Sequence, residues 1–207
     1  MPVPSPGVEV DPNLIVSSGR LERYKGHHKA IAAMPEVIRQ LPQARLHIAG
    51  AGPYEDELRG QVRRLRLEER VTIAAVPSGD RQQMADLLAS AGLFVLFSEY
   101  EAHPVAVMEA LALRRPVLVS NTSGLAELAD KGLCRAIPCH ATPTETASAM
   151  VAELRIRRPI PDLRLPDWDD CAEALLDVYR GVMANRVVAK SGSGSSRPVL
   201  VRAGERR

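Results

Sequence analysis

The chain has 207 residues, of which 45% are hydrophobic and 3% aromatic, with a formal net charge of +2. A chain of this length suits one domain with its own core. The near-neutral charge and scarce aromatics argue against a nucleic-acid partner, and no apolar run approaches the ~20 residues of a membrane span.

Residues 1–12 form a Pro-rich leader without periodicity. The leader lacks the positive start and apolar core of a signal peptide, which predicts a cytoplasmic protein. From Asn13 onward short apolar strands alternate with helices. Strands are expected at Leu14–Ser18, Arg45–Ala49, Val71–Ala75, Leu93–Phe97 and Pro116–Ser120, with a weaker one at Leu133–Ile137. Helices are expected at Gly26–Gln40, Tyr54–Arg66, Arg81–Ala89, Pro104–Leu113, Leu125–Lys131, Pro143–Leu154 and Asp167–Val182. This alternation predicts an α/β fold: a single doubly wound, Rossmann-like parallel sheet with right-handed crossovers and helices on both faces. The domain is expected over residues 13–184. Residues 185–207 read as a flexible tail, Ser/Gly-rich at Ser191–Ser196 and basic beyond it.

The three cysteines, Cys134, Cys139 and Cys171, are an odd set whose spacing, even with His140 added, fits no zinc pattern. They read as small buried hydrophobes, and no metal site is expected.

The segment Ser98-Glu99-Tyr100-Glu101-Ala102-His103-Pro104-Val105-Ala106 leaves a buried strand, turns through an acidic loop and enters a helix at Pro104. The end of a parallel strand followed by a helix start is where open α/β sheets take ligands. Free N–H groups of Val105 and Ala106 at that helix start favour an anion. Glu109 is the only charged residue between Pro104 and Leu113, among neighbours Val105, Met108 and Ala112 that look like core. It stands either on a narrow exposed stripe or bonded to polar groups, such as ribose hydroxyls, in a cleft.

Arg20 and Lys25 follow the first strand on the same sheet edge, where two cations suit a diphosphate; a solvated basic loop running to His27 and His28 is the plainer reading. Asn121-Thr122-Ser123-Gly124 precedes another helix. Small residues there allow a phosphate close to the backbone, while Ser123 equally suits a helix cap.

Taken together, these segments resemble a known family. Glu101-x7-Glu109 followed by Ala110-Leu111-Ala112, then Arg115-Pro116-Val117-Leu118-Val119-Ser120 and Ser123-Gly124-Leu125-Ala126-Glu127-Leu128, is similar to the C-terminal, nucleotide-sugar donor domain of GT-B, GT4-type retaining glycosyltransferases. Gly19-Arg20 with Lys25-Gly26, and His47-Ile48-Ala49-Gly50-Ala51-Gly52-Pro53, match further family segments in order and spacing, so the resemblance runs from about Leu14 to Val182.

The resemblance implies that Arg20 and Lys25, beside Gly19, hold the diphosphate of a UDP-, GDP- or ADP-sugar and stabilise it as it departs. Glu101 would bond sugar hydroxyls and Glu109 the ribose. Backbone around Val105, Ala106, Ser123 and Gly124 would approach sugar and phosphate, and no metal or other cofactor is needed. Where the family has small residues before the helix, this chain has Ala102-His103-Pro104, and proline removes one N–H. His103 reads as a surface residue.

Only 13 residues precede Leu14, so the acceptor domain of such an enzyme is not expected here, and the chain alone would bind donor without efficient transfer. A partner chain carrying that domain is one way to complete the cleft. The alternatives are a non-catalytic GT-B-like module that has lost donor binding, or half of a GT-B epimerase.

Overall fold

The computed structural model describes residues 2–77, 79–156 and 168–191. The chain divides into two compact units, Met1–Arg164 and Leu165–Arg207. In the first, six strands, β1 (Asp11–Ser18), β2 (Arg45–Ala49), β3 (Val71–Ala74), β4 (Ala91–Leu96), β5 (Val117–Ser120) and β6 (Arg135–Ile137), form one parallel sheet in the order β3-β2-β1-β4-β5-β6. The doubly wound α/β expectation holds. Six helices connect and flank the strands: α1 (His27–Gln40), α2 (Glu55–Arg64), α3 (Arg81–Ser90), α4 (Val105–Ala112), α5 (Ser123–Asp130) and α6 (Pro143–Ile156).

Neighbouring strand residues feed opposite cores, as a pleat of period two requires. Ile15, Leu46, Ile48, Val95 and Leu118 join one buried cluster with Ile31 and Met34 of α1, Leu58 of α2 and Met150 of α6. Val16, Phe94, Leu96, Val117 and Val119 join the other with Leu88 of α3, Leu111 of α4 and Leu125 of α5. Both faces are covered, which is why the strands read as nearly unbroken apolar runs.

The chain reverses its direction of travel across the sheet between β1 and β4. Ile15 pairs with Leu93 and Val16 with Phe94, so the two strands end side by side, and their following helices leave to opposite faces. That topology opens a crevice beyond the two strand ends.

Several boundaries differ from expectation. β1 begins at Asp11, inside the expected leader, because Asp11 pairs with Ala91 of β4. The leader itself is anchored: the Ser5 N–H and hydroxyl donate to the two carboxylate oxygens of Asp86 at 2.7 and 2.8 Å, and Gln82 donates to the Val3 carbonyl. In the second unit α7 (Trp168–Ser191) runs past the expected stop at Val182 and into the expected tail. Asn185-Arg186-Val187-Val188-Ala189-Lys190 contains no Gly or Pro to end a helix, and the glycines begin at Gly192. The rest of the expected tail, 192–207, lies outside the described residues. Among the described residues no helix is long and apolar enough to cross a membrane.

The cysteines also differ from the buried reading. Cys134 and Cys139 are half-buried and Cys171 is exposed; burial pushes the Cys134 thiol up to about 11, and the Cys139 thiol donates to the Asn121 carbonyl.

Candidate functional site

β1 delivers its chain into the crevice at Gly19 and Arg20, and a turn of 3-10 helix over Arg23–Lys25 then leads to Gly26. Gly26 has φ +74, and a Cβ there would stand 2.0 Å from the Phe97 carbonyl oxygen at the end of β4. Only glycine permits this approach, and it brings the two strand-end loops into contact. The Glu99 N–H donates to the Tyr24 carbonyl at 2.8 Å and closes the junction.

Lys25 and Glu101, 76 residues apart, meet at this junction. Lys25 Nζ lies 2.7 Å from Glu101 Oε1, with the side chains 18% and 10% exposed. The Ser98 hydroxyl donates to the same oxygen at 2.7 Å. Oε1 thus holds both donors, while Oε2 accepts nothing from the described residues. An ammonium has three donors, and Glu101 engages one of them. The corner therefore presents open N–H donors on Lys25 beside an open carboxylate oxygen on Glu101.

The loop that carries Glu101 is pinned by the residues expected to approach a phosphate. The Glu101 N–H donates to Ser123 Oγ at 2.9 Å, and the Gly124 N–H donates to the Glu101 carbonyl at 2.9 Å. A Cβ on Gly124 would fall 2.8 Å from that carbonyl oxygen. The Gly124 N–H is therefore engaged rather than open to an anion. Ser123 is no helix cap either: Thr122 holds the cap position and Ser123 is the first residue of α5. Both residues hold Glu101 in place.

α4 starts at Val105, with Pro104 at the cap. The Val105 N–H donates to the His103 carbonyl at 2.9 Å, so the expected free N–H at Val105 is not free. The proline bend that carries the chain into the helix turns that carbonyl back onto it. The Ala106 N–H has no acceptor among the described residues. Val105 is 54% exposed and the core face is Val107, Ala110 and Leu111, which corrects the expectation of core neighbours around Glu109. Glu109 is half-buried, its side chain 25% exposed, between the exposed Val105 and Ala112, and Arg81 at the start of α3 lies 3.8 Å from it. His103 is exposed, as expected.

Arg20 departs from the shared corner. Its guanidinium pairs with Glu22 at 2.6 Å and its side chain is 73% exposed. Three contributors were not apparent in the sequence: Ser98, Arg81, and His27 beneath the loop. His27 is buried, its Nδ1 lies 2.9 Å from Ser17 Oγ, and burial pushes its pKa down to about 4. Burial also lowers that of His28, whose ring stands edge-on to Tyr54. Among the described residues no group of three or more His, Cys, Asp or Glu is arranged to hold a metal ion.

A basic and an acidic side chain joined at the switch point of a 3-2-1-4-5-6 sheet suit a ligand carrying both anionic and hydroxyl groups. The sequence profile of the family described as Glycosyl transferases group 1 matches residues 4–153. The chain belongs to that family. Within it, glycogen synthase of Mycobacterium tuberculosis is 32% identical over 192 residues, covering 88% of this chain and 44% of that protein. The chain spans less than half the length of the curated relatives it matches. Two solved structures share the fold. The C-terminal domain of the group 1 family protein LpcC from Francisella tularensis superposes with a TM-score of 0.60 at 16% identity, covering 72% of this chain and 82% of that one. HepE of Anabaena in complex with UDP and glucose superposes with a TM-score of 0.62 at 24% identity, covering 73% and 40%. The group 1 chain thus has the C-terminal-type GT-B domain, as the motifs around Arg20 and Glu101 imply.

Proposed function

We propose that this domain is the donor half of a retaining glycosyltransferase and binds a nucleotide-diphosphate sugar in the crevice between β1 and β4. The observation that carries the reading is the Lys25–Glu101–Ser98 corner: open ammonium donors for a diphosphate lie beside a carboxylate oxygen free for a sugar hydroxyl. The binding of UDP and glucose by HepE, which shares the fold, supports it.

Lys25 and Arg20 stabilise the charge that builds on the departing diphosphate, so the leaving group needs no metal. Arg20 reaches it by leaving Glu22. Glu101 orients the sugar through Oε2, and Glu109 bonds the ribose after turning from Arg81. The Ala106 N–H, at the positive end of α4, adds a donor. Ser123, Gly124 and Gly19 shape the backbone around these groups. Transfer needs an acceptor surface opposite the crevice, on a further domain or a partner chain.

A second reading, a GT-B-like module without donor binding, is favoured by one observation: at the start of α4 Pro104 has no N–H and that of Val105 is engaged. Calorimetry with UDP-, GDP- and ADP-sugars, with and without a chelator, separates the two. Heat with one donor, unchanged by chelator, supports the donor half; no heat with any overturns it in favour of the second reading.

A further inference from the structure

His27 occupies a position where an apolar residue would suffice. It opens α1 above Ile31 and Met34, both fully buried, and is itself 1% exposed. Its Nδ1 meets Ser17 Oγ, but its Nε2, also buried, has no hydrogen-bond partner. A buried polar atom left without a partner costs free energy comparable to a lost hydrogen bond, and such an atom in a native fold calls for a reason.

Two observations place that nitrogen against the candidate diphosphate loop, and a third concerns the Arg20 side chain. A Cβ built on Gly19, whose φ is +149, would have a single neighbour within 4 Å outside its own chain neighbours: His27 Nε2, at 3.9 Å. The Arg20 main chain already acts on the ring and favours its protonated form, although Nε2 makes no hydrogen bond of ordinary geometry. Arg20 itself is turned outward onto Glu22, on an exposed side chain that must swing to share a ligand with Lys25.

The geometry points to His27 as a positioning residue: its Nε2–H completes a hydrogen bond to the Gly19–Arg20 main chain when a nucleotide diphosphate draws Arg20 away from Glu22. We take the Ser17 hydroxyl as the donor to Nδ1, the tautomer that leaves the ring proton on Nε2, on the side of the turn. The unsatisfied donor raises the free energy of the unliganded turn and is relieved in the liganded one, so it biases the loop toward binding. The inference rests on the donor-half reading and adds a residue to it.

The test uses the full chain and calorimetry with UDP, GDP and ADP, continued with the nucleotide that binds. His27→Asn keeps a polar group near Ser17 and removes the one at Nε2; His27→Gln keeps a donor near the Nε2 position. The expected result is a loss of about 5- to 10-fold in affinity for His27→Asn, the equivalent of one hydrogen bond, and recovery to within about 2-fold for His27→Gln, both measured at a temperature where each variant is fully folded, because substitution of a buried ring lowers the thermal midpoint of both. Equal affinity of His27→Asn and the unaltered chain overturns the inference, as does an equal loss in both variants. If neither variant folds, imidazole nitrogen NMR of the unaltered chain decides: a shift of the Nε2–H resonance on nucleotide addition is expected, and an unmoved resonance overturns the inference. Absence of binding of all three nucleotides by the unaltered chain defeats the donor-half reading and the inference together. An unaffected His27→Asn defeats the inference alone.

Discussion

Lys25 and Arg20 stand five positions apart in one loop, yet the fold holds them in opposite ways. Lys25 is locked into a nearly buried corner with Glu101 and Ser98, where every distance is set by the ends of β1 and β4. Arg20 stands on the surface, tied to Glu22 by an ion pair that solvent screens. The acidic residues divide likewise: Glu101 is 8% exposed and held from both ends, while Glu109, half-buried, faces Arg81 across 3.8 Å. The inner corner is assembled by folding, whereas Arg20 and Glu109 are each held by a single ion pair with an exposed arginine in it. Inner changes should therefore register in stability as well as binding, and outer ones in binding alone.

Lys25→Ala is the sharpest way to break the distinction. It leaves the Glu101 carboxylate largely buried with only Ser98 as partner, and losing one member of such a pair costs about 3 kcal/mol at full burial, less at an open rim. Urea denaturation should show a loss of ~2 kcal/mol for Lys25→Ala and under ~0.5 kcal/mol for Arg20→Ala. Equal losses would mean that the corner is no more prebuilt than the surface.

Acid tests the inner region next. The His27 pKa is lowered from 6.5 to about 4 by burial, so between these values the unfolded chain binds a proton that the folded chain refuses. Stability is therefore full above pH 6.5, falls as pH drops toward 4, and is lower by ~3 kcal/mol from this group below that. His28 and His47, both lowered by burial, act in the same direction. Denaturation midpoints measured from pH 7 to 4 should fall for the unaltered chain and flatten in His27→Asn. A slope unchanged by the substitution would assign the titration to other groups.

The division also marks what the sequence made legible. The sheet was readable because strands buried on both faces are largely apolar, and Lys25 and Glu101 were readable because both lie in the loops that leave such strands. The facing of α4 was not: Val105-Ala106-Val107-Met108-Glu109-Ala110-Leu111-Ala112 is apolar on every side but one, so its periodicity names no buried face, and Val105 proved exposed. His27 looked like part of a solvated basic loop, because the turn that carries it inward depends on Gly26 meeting the Phe97 carbonyl 71 positions away. Ser123 and Gly124 offer small size, which serves a phosphate and a neighbouring loop equally; in the fold the Glu101 main chain takes both.

In the outer region the effects move to the ligand. Arg20→Ala should weaken binding of a nucleotide-diphosphate sugar by about 1.5–3 kcal/mol, the range for charge-assisted hydrogen bonds, at an unchanged thermal midpoint. Intact affinity after this change would mean that the diphosphate is held elsewhere.

The smallest effect has the opposite sign. Glu22 competes with any phosphate for Arg20, across 2.6 Å and at an exposed guanidinium. Glu22→Gln removes the competing charge while keeping the side chain's length, so the unliganded Arg20 loses a partner that the liganded one never has. Affinity should rise by about 0.2–1 kcal/mol, the value of an exposed ion pair, and the gain should shrink as salt is added, because the pair it replaces is screened. Measured beside Arg20→Ala, the same substitution should do nothing, since the two changes act through one guanidinium and cannot add. A gain that persists without Arg20 would show that Glu22 repels the ligand directly. Arg20 would then be independent of it, and the outer region would be as preset as the inner.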